Sequence, residues 1–197
     1  MSPDSRREQL LQLGVRLLST RPVDELSIEM LAEEAGISRG LLYHYFGNKQ
    51  DFQRAVCRRA ADELIAVTAP AQEGAPLERL ARSLEAYVDY VASNYAGYTS
   101  LVRGAASGNE HLQEIYEEAR AALTDRIFDE ADPVEGPGLL EVFTIADTDA
   151  VRLMVRGWSA MAEEVALAWV RADQGVSRED LVRMLAAALP GVLSGTP

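Results

Sequence analysis

The stretch Ser27–Phe52, SIEMLAEEAGISRGLLYHYFGNKQDF, contains two short segments of helical periodicity separated by one tight turn. Ser27 and Ser38 precede these segments, and a serine hydroxyl there can accept a hydrogen bond from the unpaired N–H groups of a first helical turn. Gly36 lies between the segments and suits the left-handed conformation with which many helices end. The stretch therefore predicts a helix-turn-helix whose second helix covers residues 38–45.

The residue types of this second helix suit a DNA groove better than a protein core. Arg39 can contact guanine or a phosphate, Gly40 permits close approach of the backbone, and Leu41 can touch a thymine methyl group. Three further side chains add hydrogen-bonding groups and flat faces: Tyr43, His44 and Tyr45. Lys49 follows Asn48, the expected N-cap of the next helix, where an ammonium group and free N–H groups can share a phosphate.

Each of these side chains also has an ordinary structural explanation. Arg39 can pair with a carboxylate of the preceding helix, at Glu33 or Glu34. Tyr43 can be half packed with its hydroxyl in solvent, while His44 can be a solvated imidazole on the surface. These alternatives stay open at the level of the sequence.

The motif resembles the N-terminal signature of the TetR family of repressors. In that family a capped helix is followed by an Ala-x-x-Ala-Gly-Val/Ile-Ser turn, by small-x-Leu-Tyr-x-Tyr/His-Phe and, after a two-residue gap, by Lys. The matching residues are Ala32, residues 35–38, residues 40–46 and Lys49, within a match extending from about Leu10 to Phe52. The resemblance implies a three-helix DNA-binding domain, residues 1–47, followed by a ligand-binding and dimerisation domain, residues 48–197.

The resemblance also implies a function and a set of DNA-contacting residues. The expected function is a repressor that a small-molecule ligand releases from a palindromic operator in double-stranded DNA. The expected DNA-binding residues are Ser27, Ser38, Arg39, Gly40, Leu41, Tyr43, His44, Tyr45 and Lys49. Glu29 departs from the pattern, because some family members have a basic DNA-contacting residue there. A glutamate can accept a hydrogen bond from cytosine, but it repels nearby phosphates.

The rest of the chain also predicts helices. Apolar residues recur at spacings of three and four, and no segment alternates as a strand does, so we expect an all-α protein of about nine helices. Beside the two motif helices, the expected helical segments are 5–19, 48–68, 77–95, one ending near 107, 109–130, one from Asp147 or Asp149 to about 172, and one from 177 to Pro190-Gly191. Residues 132–138 have loop composition, and residues 139–146 give no clear pattern.

The middle helices carry candidate ligand-binding residues. Tyrosine offers a flat apolar face with a hydroxyl group, which suits an aromatic or amphipathic ligand. The candidates are Tyr87, Tyr90, Val91, Tyr95, Tyr98, Leu101, Arg103, Tyr116, Trp158 and Met161. Any one of them can instead be an ordinary core residue, and the identity of the ligand does not follow from them.

The last two long helices predict a subunit interface. The first of these helices has an apolar stripe wider than one contact needs, and the second adds a further stripe. The positions are Val151, Met154, Val155, Trp158, Met161, Ala162, Val165 and Trp169 on the first helix, and Leu181, Met184, Leu185 and Leu189 on the second. Some of these positions can instead be buried within one subunit. The family resemblance implies that these helices pair in a four-helix interface of a homodimer. Trp158 and Met161 can equally line a ligand cavity.

The composition of the chain restricts its expected location in the cell and the classes of function that it can have. The formal net charge is −12, yet the first 60 residues hold nine basic and eight acidic side chains, so the acidic excess lies behind the motif. With one cysteine, no signal peptide and no apolar run of membrane-spanning length, we expect a cytoplasmic protein without membrane association. Two histidines and no glycine-rich phosphate loop give no catalytic constellation. We therefore expect no enzyme activity, metal or cofactor.

Overall fold

The computed structural model describes residues 3–129 and 137–194, and the regular elements of these residues are all helical. The ten α-helices are α1 (Pro3–Leu18), α2 (Ile28–Ala35), α3 (Arg39–Phe46), α4 (Lys49–Val67), α5 (Pro76–Ser93), α6 (Tyr95–Ala106), α7 (Glu110–Asp125), α8 (Leu139–Val142), α9 (Asp149–Arg171) and α10 (Arg178–Leu193). A 3-10 turn at Val23–Glu25, called the connecting turn below, joins α1 to α2. The prediction of an all-α fold is confirmed.

Two boundaries of the helix prediction were wrong. The ten α-helices of the described residues agree with the expected number of about nine, and the additional helix, α8, has four residues, too few to show a periodic pattern. α7 ends at Asp125, earlier than the predicted end at residue 130. α10 continues through Pro190 to Leu193, because Leu189 and Leu193 are fully buried on one face and their packing offsets the local cost of the proline. The predicted loop at 132–138 lies outside the described residues except for 137 and 138.

The first of two compact units comprises residues up to 64 together with 93–119, and so contains α1–α3, most of α4, α6 and the first ten residues of α7. Phe52 is fully buried in this unit, and its ring lies 5.2 Å from that of Phe46. α6 packs closely against α1 at Gly97. A Cβ atom added at this glycine would lie only 2.7 Å from the Leu18 carbonyl oxygen. Arg58 of α4 forms an ion pair with Glu118 of α7.

The second unit comprises residues 65–92 and 120–197, with α5, α8, α9 and α10. Its core lies mainly between α9 and α10, where the Trp158 indole N–H donates to the Leu185 carbonyl oxygen at 3.0 Å. The Arg178 guanidinium of α10 donates to both carboxylate oxygens of Asp89 on α5, each at 2.6 Å. The described helices include no candidate for a membrane span.

Candidate nucleic-acid interface

α2 and α3 form a helix-turn-helix whose boundaries are set by local hydrogen bonds. The Ser27 hydroxyl accepts from the Met30 N–H at 3.1 Å, and the Ser38 hydroxyl accepts from the Leu41 N–H at 3.3 Å. Gly36 ends α2 with a φ of 63°, a left-handed conformation that a side chain would disfavour. The predicted serine caps and the predicted glycine turn are confirmed, and α3 differs from its expected span by one residue at each end.

α3 is amphipathic, with one face in the core and the other in solvent. Leu42 and Phe46 are buried, as expected, and hold the helix against the rest of its unit. On the outer side Leu41 is 39% exposed and Tyr43 is 45% exposed. Arg39, Gly40 and His44 are also exposed, whereas Tyr45 is half-buried. α3 therefore presents a row of apolar, aromatic and basic groups to solvent.

The structure shows the surroundings of Arg39 and Tyr43, whose ordinary structural explanations the sequence left open. Arg39 forms no ion pair with any described residue, so the pairing with Glu33 or Glu34 is not observed. The Tyr43 hydroxyl donates to Oε1 of Glu29 at 3.5 Å, a contact between two exposed side chains. The tyrosine hydroxyl is thus directed toward the N-terminal turn of α2.

Lys49 is held at the start of α4. The Asn48 side-chain oxygen accepts from the Asp51 N–H at 2.9 Å, which confirms Asn48 as the N-cap. The Lys49 ammonium donates to the Asp24 carbonyl oxygen of the connecting turn at 2.9 Å. Because an ammonium has three donors, this contact fixes its position and leaves donors for a phosphate.

The connecting turn has supports that the sequence did not indicate. The Gln53 side-chain amide of α4 donates to the carbonyl oxygens of Val23 and Leu26, at 2.8 and 2.9 Å. The Ser100 hydroxyl of α6 accepts from the Val23 N–H at 2.9 Å. These partners are far from the turn in sequence, so no local pattern points to them. They connect the helix-turn-helix to α4 and α6 through hydrogen bonds.

The candidate ligand-binding residues are distributed over both units. Tyr87, Tyr90 and Val91 on α5, with Trp158 and Met161 on α9, belong to the second unit, while Tyr95, Tyr98, Leu101, Arg103 and Tyr116 belong to the first. Val91, Tyr90 and Trp158 are buried, Arg103 and Met161 are exposed, and the other candidates are half-buried. Their role in ligand binding stays a prediction.

The apolar stripe of α9 divides between two faces. Val151, Val155 and Trp158 are buried in the core of the second unit. The other face exposes Leu153, at 69%, together with Met154, Met161 and Val165, and α10 exposes Met184 at 53%. Within the described residues this outer face has nothing packed on it that would remove it from water.

The Cys57 thiol takes no part in the exposed surface. It is buried in α4, and burial raises its pKa to about 12, so the thiolate is disfavoured at neutral pH. The described residues contain no cluster of three or more His, Cys, Asp or Glu side chains that could hold a metal ion.

Comparison with known proteins agrees with this architecture. The family model of bacterial regulatory proteins, tetR family, matches residues 10–56, and that of the tetracyclin repressor-like C-terminal domain matches residues 76–189. The transcriptional activator FasR of Mycolicibacterium smegmatis is 24% identical over 196 residues, which cover 98% of this chain and 85% of FasR.

Solved structures show the same similarity. A tetR-family transcriptional regulator from Streptomyces coelicolor superposes with a TM-score of 0.80 at 30% identity, covering 98% of this chain and 82% of that one. The regulator FadR from Bacillus subtilis, in complex with stearoyl-CoA, has a TM-score of 0.64 at 18% identity, over 96% of this chain and 99% of FadR. These relatives are regulators of transcription and not enzymes. The chain belongs to the TetR family of DNA-binding transcriptional regulators.

Proposed function

We propose that this regulator is a homodimeric repressor that occupies a palindromic operator and leaves it when a small molecule binds. Residues 1–47 carry DNA binding, and residues 48–197 carry ligand binding and dimerisation. The regulator acts in the cytoplasm, where its operator DNA lies. The observation that carries the proposal is the exposed face of α3, because a short helix that leaves Leu41 and Tyr43 in solvent gains little stability from that face.

We assign each side chain to base contacts or to phosphate and sugar contacts from its position on the helix-turn-helix. α3 enters the major groove with its N-terminal end, where Arg39 and Gly40 meet base edges and Leu41 meets a thymine methyl group. Ser27, Ser38, Tyr43, His44, Tyr45 and Lys49 contact the phosphates and sugars on either side. Lys49 is prepositioned by the Asp24 carbonyl, so little side-chain entropy is lost when a phosphate binds.

The dimer forms through the outer face of α9 and the neighbouring part of α10. Leu153, Met154, Met161 and Val165 recur at helical spacing on α9, and Met184 extends the apolar surface to α10. A two-fold interface would bury these side chains against their own copies. Two copies of α3 then meet successive major grooves when they lie about 34–36 Å apart.

The mechanism of release from DNA depends on α6 and the first part of α7, which belong to the same compact unit as the helix-turn-helix. The Ser100 hydrogen bond to Val23, the contact of Gly97 with Leu18 and the Arg58–Glu118 ion pair are all within this unit. A ligand that favours another position of α6 therefore also changes the position of the connecting turn and α4. The ligand acts through its different affinities for the two conformations.

Selection of bound duplexes from a random pool tests the DNA-binding proposal. We expect a palindromic consensus and an affinity that falls linearly with salt on logarithmic axes. Lys49→Ala should weaken binding to all duplexes and reduce the salt slope by about 1. Arg39→Ala should instead relax preference at particular base pairs, at a cost of about 1–3 kcal/mol. If both variants bind the selected duplex as tightly as the unaltered protein, the assigned roles are wrong.

A reporter gene placed behind the selected operator distinguishes repression from activation. We expect expression to rise when the regulator is deleted, since the chain has no segment that suggests a contact with polymerase. A fall in expression would assign it instead to the activators, as FasR is named. Stearoyl-CoA, which the FadR complex contains, is a reasonable first effector to add, because its long apolar chain suits the apolar side chains and half-buried tyrosines among the candidate ligand-binding residues.

A further inference from the structure

An unpaired carboxylate lies on the surface that we assign to DNA. Glu29, the second residue of α2, is exposed and accepts the Tyr43 hydroxyl at 3.5 Å. Since Tyr43 belongs to the exposed face of α3, this contact places the carboxylate on the same side of the helix-turn-helix. Arg21 and Arg39 line a groove together with Glu29, but neither forms an ion pair with it, nor does any other described cation.

The position of this carboxylate opposes DNA binding. The N-terminal turn of α2 would otherwise attract a phosphate, because Ser27 caps the helix and the helix dipole is positive there. In a helix-turn-helix complex the first helix crosses the sugar-phosphate backbone, so Glu29 comes near phosphates whatever the base sequence. Its 3.5 Å contact with Tyr43 is long for an O–H···O hydrogen bond and does not neutralise the charge.

We propose that Glu29 is a specificity-determining residue: it lowers affinity for every DNA sequence and recovers that loss only where a cytosine amino group faces its carboxylate. A carboxylate accepts hydrogen bonds but cannot donate them, and in the major groove cytosine N4 is the donor that suits it. The Tyr43 hydroxyl lies 3.5 Å from Oε1, so the carboxylate faces the same side as the exposed face of α3, and no described cation occupies either oxygen. The inference rests on the proposed function, because it requires that the exposed face of α3 binds DNA.

The size of the repulsive part follows from Coulomb's law. For a carboxylate and a phosphate about 7 Å apart, with an effective dielectric constant of about 40–80, the penalty in affinity is about three- to sevenfold for each copy of α2. Screening by salt reduces this penalty, so it is measured best at low ionic strength.

Glu29→Gln tests the inference, because glutamine has nearly the same shape without the charge. We measure its affinity for the selected operator and for an unrelated duplex of equal length. We expect the unrelated duplex to bind about three- to sevenfold more tightly for each copy of α2 that contacts it, and the selected operator to gain less or to lose affinity. Repeated selection with this variant should relax the preference at a C·G base pair.

A further variant separates the charge from the fold. Glu29→Asp keeps the charge and should bind the unrelated duplex as the unaltered protein does. Equal tightening of both duplexes by Glu29→Gln, or no change in either, would overturn the inference and leave the proposed function intact. The proposed function fails separately, if the unaltered protein selects no consensus at all.

Discussion

Replacing Gly97 by alanine tests how tightly α6 is packed against α1. A Cβ atom at this position would lie 2.7 Å from the Leu18 carbonyl oxygen and 2.8 Å from the Leu18 Cβ. Carbon atoms in good contact lie about 3.5–4.0 Å apart, so α6 and α1 would have to separate by roughly 0.7 Å or more. A rotamer change cannot relieve the clash, because the nearest atom belongs to the backbone.

The cost can be worked out from these contacts. Overpacking of this kind destabilises by about 1–3 kcal/mol, whereas alanine in place of glycine within a helix recovers about 0.5–1 kcal/mol. We therefore expect Gly97→Ala to lower the free energy of unfolding by about 1–2 kcal/mol. The assay is urea denaturation followed by circular dichroism, at one fixed protein concentration because the proposed dimerisation would change the apparent stability.

Gly40→Ala is the matched control in the same compact unit. Gly40 also lies in a helix, and a Cβ atom there would meet nothing within 4 Å. We expect this variant to be about 0.5–1 kcal/mol more stable than the unaltered protein, yet weaker in DNA binding because the backbone of α3 can no longer approach closely. Unfolding of the two alanine variants at the same urea concentration would show that Gly97 is not tightly packed against α1.

Three other predictions concern the second unit and the cysteine. Leu153→Glu should convert the dimer to a monomer in sedimentation analysis, whereas Val142→Glu, an exposed apolar position on α8, should leave the dimer intact. Trp158→Phe should lower the unfolding free energy by about 2 kcal/mol in the same urea assay, through loss of the hydrogen bond to Leu185 and of packed volume. The Cys57 thiol should resist thiol reagents at pH 8 until the protein is unfolded. The pKa of this thiol is about 12 in the folded protein and 9.0 in the unfolded chain. The stability that the neutral thiol contributes should therefore be present below pH 9 and lost as the pH rises toward 12. Cys57→Ala should not show this loss.

The helix-turn-helix could be predicted from the sequence because its signals are local. A serine cap acts on an N–H group three residues away, and the left-handed glycine acts within its own turn. The boundaries of both helices could therefore be predicted to within one residue from Ser27, Gly36 and Ser38 alone. The apolar positions Leu42 and Phe46 were equally predictable, because helical periodicity decides which face is buried.

The supports of this motif could not be predicted, because they depend on residues that are distant in sequence. Gln53 and Ser100 bind the connecting turn only after α4 and α6 have packed around it. The end of α10 could not be predicted for the same reason, since the local rule for proline ends the helix at Pro190 and tertiary packing continues it to Leu193. The class of ligand is even harder to predict from the sequence, because it depends on the shape of a binding cavity and not on the residue types that line it.

The apolar stripe of α9 contains two groups of residues, one in the core and one on the outer face. The sequence marks its apolar positions without distinguishing the partner that covers each one. In the structure Val155 and Trp158 pack inside the protomer, while Leu153 and Met161 face outward. Because the two faces of one helix have different partners, their substitutions should have different effects. An inner substitution should lower the unfolding free energy and retain the dimer, whereas an outer substitution should abolish the dimer and retain the core of the isolated protomer. A variant of Leu153 that unfolds the protomer itself would show that this face belongs to the core, and the proposed interface would then have to lie elsewhere on the molecule.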